Sequence, residues 1–239
     1  PGPLTADELE SIIVTVRTRC MWVGAIAVTA SLVFGYPESD DPWASAVQRD
    51  SGPRHVGHLA TAKVRDGRMT YIGGSASNSI ERLQISSAVS FIERSEEVRV
   101  RARSGCEKRA VDRGIRVTCR NVPGVRLLLG RGNDRMANGF VSDRKACRRI
   151  PDRGAHVAIN GGEGHDVLLG TNTANGDDLA GGRGPDVILS CGGDDAIAGG
   201  AGADQLEGML GDDRASGQRG TDYLLGCSGD PDSNDVGGD

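Results

Sequence analysis

Seven aspartates in the last third of the chain, Asp166, Asp177, Asp186, Asp195, Asp204, Asp213 and Asp222, have the spacing that points to chemistry. From Asp177 onward they recur every nine residues, and the eleven-residue step from Asp166 holds two inserted residues, Gly170 and Thr171. Two positions before each stands a turn former: Gly164, Asn175, Gly184, Gly193, Gly202, Gly211 or Gly220. Two positions after stands Leu168, Leu179, Ile188, Ile197, Leu206, Ala215 or Leu224. A period that keeps one turn-forming, one acidic and one apolar position marks a repeat architecture.

The elements that must position these carboxylates follow from the same period. Glycine reverses the chain tightly because it tolerates φ > 0, and the apolar residue points inward from a strand of about three residues. Two nonads then complete one turn of a flat coil of parallel strands. Aspartates eighteen residues apart stack on one edge, one strand spacing of about 4.8 Å apart. Carboxylates that close repel unless a cation lies between them. A hard cation fits: Ca²⁺ takes roughly 6–8 oxygens from carboxylates and backbone carbonyls, and tight glycine turns leave carbonyls free. The fold class read here is all-β, a C-terminal parallel β-roll preceded by a strand-rich lead-in.

Segments 161–169, 181–189 and 199–207 match G-G-x-G-x-D-x-U-x in full, and on them the region resembles the RTX, or haemolysin-type, parallel β-roll. The resemblance implies Ca²⁺ as the cofactor, held between consecutive turns by aspartate side chains and by carbonyls of the loops at Gly161, Gly162, Gly164, Gly181, Gly182, Gly184, Gly199, Gly200 and Gly202. The sharing pairs it implies are Asp166 with Asp186, Asp177 with Asp195, Asp186 with Asp204, Asp195 with Asp213, and Asp204 with Asp222. The pattern has departures, among them the small core residue Ala215. Ser190 and Cys191 replace both opening glycines of one nonad, and Met209 and Gln218 replace the second glycine of two others.

Residues 151–239 carry seventeen Asp+Glu against four Lys+Arg, a net of −13. Such a composition without neutralisation is disordered, so calcium binding and folding are expected to be one event. A flexible Gly/Asp-rich tail without a ligand would not hold three positions in phase over six intervals. An EF-hand does not fit either, because Asp235 stands where that loop needs glycine.

Residues 1–150 hold 24 Lys+Arg against 16 Asp+Glu, opposite in sign to the rest. The arginines are scattered through strand-like alternation without aromatic interleaving, which argues against a nucleic-acid partner and for a solvated face or a surface that docks the acidic roll. Arg17 and Arg19 precede the apolar run Met21–Phe34, too short to span a bilayer comfortably, so residues 1–35 read as an N-terminal extension and signal peptide rather than a transmembrane span. Residues 36–54 read as a linker, 55–150 as a β-rich lead-in domain and 151–239 as the roll. Candidate strands of the lead-in are Leu59–Val64, Met69–Ile72, Ile80–Ile85, Val98–Arg103, Ile115–Cys119 and Val125–Leu129. Arg131-Gly132-Asn133-Asp134-Arg135-Met136 is an isolated half-repeat. This layout resembles secreted calcium-binding proteins of high-GC Gram-positive bacteria. It leaves two architectures open: one continuous solenoid capped by the lead-in, or a separate small β-sandwich.

Six cysteines fit an exported protein. Cys106 and Cys119 flank a turn between two strands and are expected to form a disulfide. Cys191 and Cys227 lie two coil turns apart, beyond the roughly 7 Å Cα limit for pairing, which leaves Cys147 as a partner for either. Catalytic constellations are missing: there is no H-E-x-x-H, and Gly73-Gly74-Ser75-Ala76-Ser77 fails G-x-S-x-G. His55 and His58 have ligand-like spacing but no Cys or carboxylate nearby, and neither His156 nor His165 has an evident role. The expectation is a secreted, non-enzymatic calcium-binding protein whose protein or surface partner the sequence does not name. Its alternatives are a truncated or degenerate enzyme, or an adhesin, with the active part in residues 55–150.

Overall fold

Period-two alternation builds the first half of the molecule. The structure is a computed structural model that describes residues 58–136, 156–172 and 175–225. In it β1 (Leu59–Arg65) and β2 (Arg68–Ile72) bury Ala60, Ala62, Met69 and Tyr71 on one face and keep Lys63 and Thr70 on the other. The expected strands are all present. They are joined by three that the sequence reading missed, β4 (Ala88–Glu93), β6 (Cys106–Val111) and the two-residue β9 (Arg135–Met136). The first two complete antiparallel ladders with β3 (Ser79–Ile85) and β7 (Gly114–Arg120). Strand β6 is exposed or half-buried throughout, so it carries no apolar signal. The lead-in is completed by β5 (Arg99–Ala102) and β8 (Gly124–Arg131).

From His156 onward, long and short strands alternate. The long ones are β10 (His156–Glu163), β12 (Asp177–Arg183), β14 (Ala196–Ala201) and β16 (Arg214–Arg219). The short ones are β11 (Val167–Leu169), β13 (Val187–Leu189), β15 (Gln205–Glu207) and β17 (Tyr223–Leu225). No helix occurs among the described residues, so none there is long and apolar enough to cross a membrane.

Only the short strands have the expected three residues. The long ones continue through the glycine pair, with Gly162 opposite Gly182 and Gly182 opposite Gly200. A side chain at Gly182 (φ +117°) would overlap the carbonyl of Gly162, so a bare backbone keeps the ladder closed there. Cys191, Met209 and Gln218 take positive φ at the same repeat position. The turn therefore survives loss of its glycine, at a strain of roughly 1–2 kcal/mol per residue.

Two sheets run the length of the molecule. One has eight strands in the order β16-β14-β12-β10-β8-β2-β1-β5, the other nine in the order β17-β15-β13-β11-β9-β3-β4-β7-β6. Of the two architectures, the continuous solenoid is the one observed. The pairs β2/β3 and β8/β9 are coil turns of the same kind as the later ones, because β8 pairs in parallel with both β2 and β10, and β9 with both β3 and β11. A single apolar core runs between the sheets from Ala60 through Leu127, Ile159, Leu168 and Ile188 to Ala215. A smaller cluster, Val167, Leu169, Val187, Leu189, Cys191 and Met209, is buried separately.

Cys106 and Cys119 are direct cross-strand partners and form a disulfide, with Cα atoms 4.1 Å apart. Cys191 is also disulfide-bonded. The expectations for Cys147 and Cys227, the signal segment, the linker and the boundary near residue 150 lie outside the described residues.

Candidate metal centre

The nonad turns bring the aspartates into two columns, one on each edge of the coil. Along the edge that leads into the short strands, the main-chain N–H of each aspartate donates to Oδ1 of the next. Asp166 donates to Asp186 (2.8 Å), Asp186 to Asp204 (2.8 Å) and Asp204 to Asp222 (3.0 Å). On the opposite edge Asp177 donates to Asp195 (2.7 Å) and Asp195 to Asp213 (2.9 Å). All five pairs expected from the period are therefore adjacent rungs.

Only one oxygen of each carboxylate is used in this way. Oδ2 of Asp166, Asp186, Asp195, Asp204 and Asp222 is buried without a hydrogen-bond partner. A side chain on Gly161 would overlap Asp166 Oδ2 and meet the carbonyl of Gly181, and the same holds for Gly181 with Asp186 and Gly199, and for Gly199 with Asp204 and Gly217. Each glycine thus leaves room where an unpaired carboxylate oxygen faces the carbonyl of the following turn. Burial pushes these carboxyls up, Asp166 to about 7, Asp186 and Asp195 to about 8, and Asp204 to about 6. Buried, unpaired anionic oxygens beside free carbonyls are what a hard cation neutralises. Among the described residues no three His, Cys, Asp or Glu side chains converge, so further donors must be main-chain carbonyls, as the repeat requires. The residues present fit Ca²⁺.

Asp177 differs. Its Oδ2 accepts from Thr171 Oγ1 (2.9 Å) and from the Thr171 main chain, so the two-residue insertion caps the first rung of that edge. Its pKa is pushed by burial to about 6 and held back by those bonds. Of the histidines, His58 and His165 are exposed, and His156 Nε2 pairs with Asp178 at 3.0 Å. That bond raises the His156 pKa.

The longer column also extends into the lead-in, beyond the reach of the sequence reading. Asp134 N–H donates to Asp166 Oδ1 (2.8 Å) across 32 residues, and Asp134 Oδ2 is buried and unpaired. One turn earlier, Asn78 N–H donates to Asp134 Oδ1 (2.6 Å). The signal was in the chain. Gly73-Gly74-Ser75-Ala76-Ser77-Asn78-Ser79-Ile80 is the nonad with alanine for one glycine and asparagine for the aspartate, and Leu129-Gly130-Arg131-Gly132-Asn133-Asp134-Arg135-Met136 is the nonad with leucine for the first glycine. The inserted hairpins β4 to β7 separate these two copies and hide the period.

This geometry defines a class: a parallel β-roll with ladders of buried carboxylates. Residues 171–206 and 198–230 match the family model of the RTX calcium-binding nonapeptide repeat, in four copies. The stretch is an array of RTX nonapeptide repeats, and such repeats bind calcium ions. No curated protein and no solved structure matches the chain.

Proposed function

We propose that the chain is an exported protein whose calcium-binding roll folds when it meets extracellular calcium and then serves as ion-stabilised structure at or outside the cell surface. The observation that carries this reading is the file of buried, unpaired Oδ2 atoms at Asp166, Asp186, Asp204 and Asp222, each next to the gap left by Gly161, Gly181, Gly199 or Gly217. Ca²⁺ would be held there by the paired aspartates Asp166/Asp186, Asp186/Asp204, Asp204/Asp222 and Asp195/Asp213, with carbonyls of the Gly161, Gly181 and Gly199 turns. Asp177 would join Asp195 in that role, although its Oδ2 is the one that accepts from Thr171. The ion supplies charge neutralisation. The chain supplies fixed carboxylates, oriented by the Oδ1 bonds.

The charge supports export, because a stretch with a net charge of −13 over residues 151–239 stays unfolded until neutralised. Affinities on the order of 10⁻⁴–10⁻³ M are enough at extracellular calcium. The test is a calcium titration of the full chain by calorimetry and far-UV circular dichroism, repeated with Asp186→Ala and Asp204→Ala. Cooperative gain of β structure, weakened in both variants, is the expected result. A spectrum unmoved by millimolar calcium or by EGTA defeats the proposal.

A further inference from the structure

Between successive roll turns, a carboxylate Oδ2 faces the carbonyl of the next turn across a gap that the described contacts leave unpaired. One turn of the same coil solves the problem differently. A side chain on Gly73 would overlap Asn78 Nδ2 and the Leu129 carbonyl, just as one on Gly161 would meet Asp166 Oδ2 and the Gly181 carbonyl. Asn78 Nδ2 therefore stands where the later turns have Oδ2. It is a donor, and it lies 3.0 Å from the Leu129 carbonyl, 3.1 Å from the Ala76 carbonyl and 2.9 Å from Asp134 Oδ1. The other end of the amide is fixed too: the Tyr71 hydroxyl is 2.8 Å from Asn78 Oδ1 and 2.7 Å from Glu93 Oε2. Asn78 is 1% exposed and Tyr71 0%. At this rung a neutral amide satisfies the oxygens that elsewhere require a cation.

The rung after it is different again. Asp134 is 1% exposed, and its Oδ2 has no partner. Asp166 is the next member of the column, and beside it Gly130 and Gly162 are register partners with φ +108° and +114°. Leu129 stands where other turns have their first glycine. At the same place in a later turn Ser190 turns its hydroxyl to the Gly208 carbonyl.

We propose that the ladder holds one calcium ion beyond the recognised repeats, between Asp134 and Asp166, and ends at Asn78, whose amide N–H plays the ion's part. The lead-in turns β2/β3 and β8 then fold without calcium and present a formed edge on which the acidic coil zips up. This rests on the calcium reading above.

The test counts bound ions on the full chain by equilibrium dialysis against Ca²⁺, for the wild type, Asp134→Asn and Asn78→Asp, and follows wild-type amide hydrogen exchange in EGTA. Asp134→Asn is expected to bind one ion fewer and Asn78→Asp one ion more. In EGTA the amides of Tyr71 and Leu127 should remain protected while those of Ile188 and Leu206 exchange freely. An Asp134→Asn chain with the wild-type count, an Asn78→Asp chain with no added ion, or a Leu127 amide that exchanges as fast as Leu206 overturns the proposal. If Asp134→Asn does not fold, the other two measurements still decide. A wild type that binds no ion at all defeats the calcium reading itself, whereas normal binding with an unchanged Asp134→Asn count defeats this inference alone.

Discussion

The β2/β3 turn and the β12/β13 turn have the same backbone path and opposite electrostatics. In the first, Asn78 puts an N–H against the carbonyl of the following turn; in the second, Asp186 puts an unpaired carboxylate oxygen there. The first is a finished hydrogen-bond network, and the second is finished only by a cation. One coil geometry thus serves both a self-sufficient cap and a metal-dependent stack. A single atom, nitrogen or oxygen, decides which, because an unmade bond to a buried charged group costs far more than one to a solvated group.

The strongest challenge to this contrast comes from the core. Leu127→Ala in the lead-in and Leu206→Ala in the roll each remove a buried side chain and should cost about 2–5 kcal/mol. The lead-in loss should show in urea melts with EGTA or calcium alike. The roll loss should appear as a higher calcium concentration at the folding midpoint, and equal dependence of both on calcium would erase the distinction.

The Cys106–Cys119 disulfide, closing a separation of 13 residues, should contribute about 3 kcal/mol to the lead-in. Replacing both cysteines by alanine should lower lead-in stability by that amount at any calcium level, read from the same melts.

Acidity gives the next effect. Desolvation raises Asp166 to about 7 and Asp186 and Asp195 to about 8. Raised carboxyls bind more protons in the folded than in the unfolded state, so the metal-free roll is most stable below about pH 4, the unfolded value, and loses stability as pH rises toward 8. Calcium needs the charged form, so its affinity should rise over about pH 6–8. Circular dichroism without metal at pH 5 and pH 8, paired with calcium titrations at both, should give opposite trends.

The smallest effect is local. Gln218 holds φ +71° where Gly182 and Gly200 hold +117° and +118°. Gln218→Gly should relieve about 1 kcal/mol of strain and lower the calcium midpoint slightly, without touching the lead-in.

Much of the site was legible because the nonad fixes three positions at once. From Asp177 to Asp222 the period puts aspartates eighteen residues apart on adjacent rungs, and the pairs that the resemblance implied, including Asp166 with Asp186 twenty residues on, are neighbours in the ladder. The Asp134 and Asn78 rungs were not legible as rungs. Hairpins β4 to β7 break the period between them, and the replacements of Gly by Leu129 and of Asp by Asn78 weaken the motif. Strand β6 escaped notice because CEKRAV buries no apolar face. The long strands were underestimated because glycine pairs read as turns until a partner backbone at the same register shows them extended.

The repeat, the strand direction, the acidic ladders and the demand for a hard cation all follow from local spacing and charge. That the lead-in belongs to the same coil, and where the ladder ends, emerged with the fold. Both depend on residues 32 to 56 positions apart meeting at one rung, Asp134 on Asp166 and Asn78 on Asp134, and the chain inserted between the weakened nonads breaks the period that would have announced the pairing.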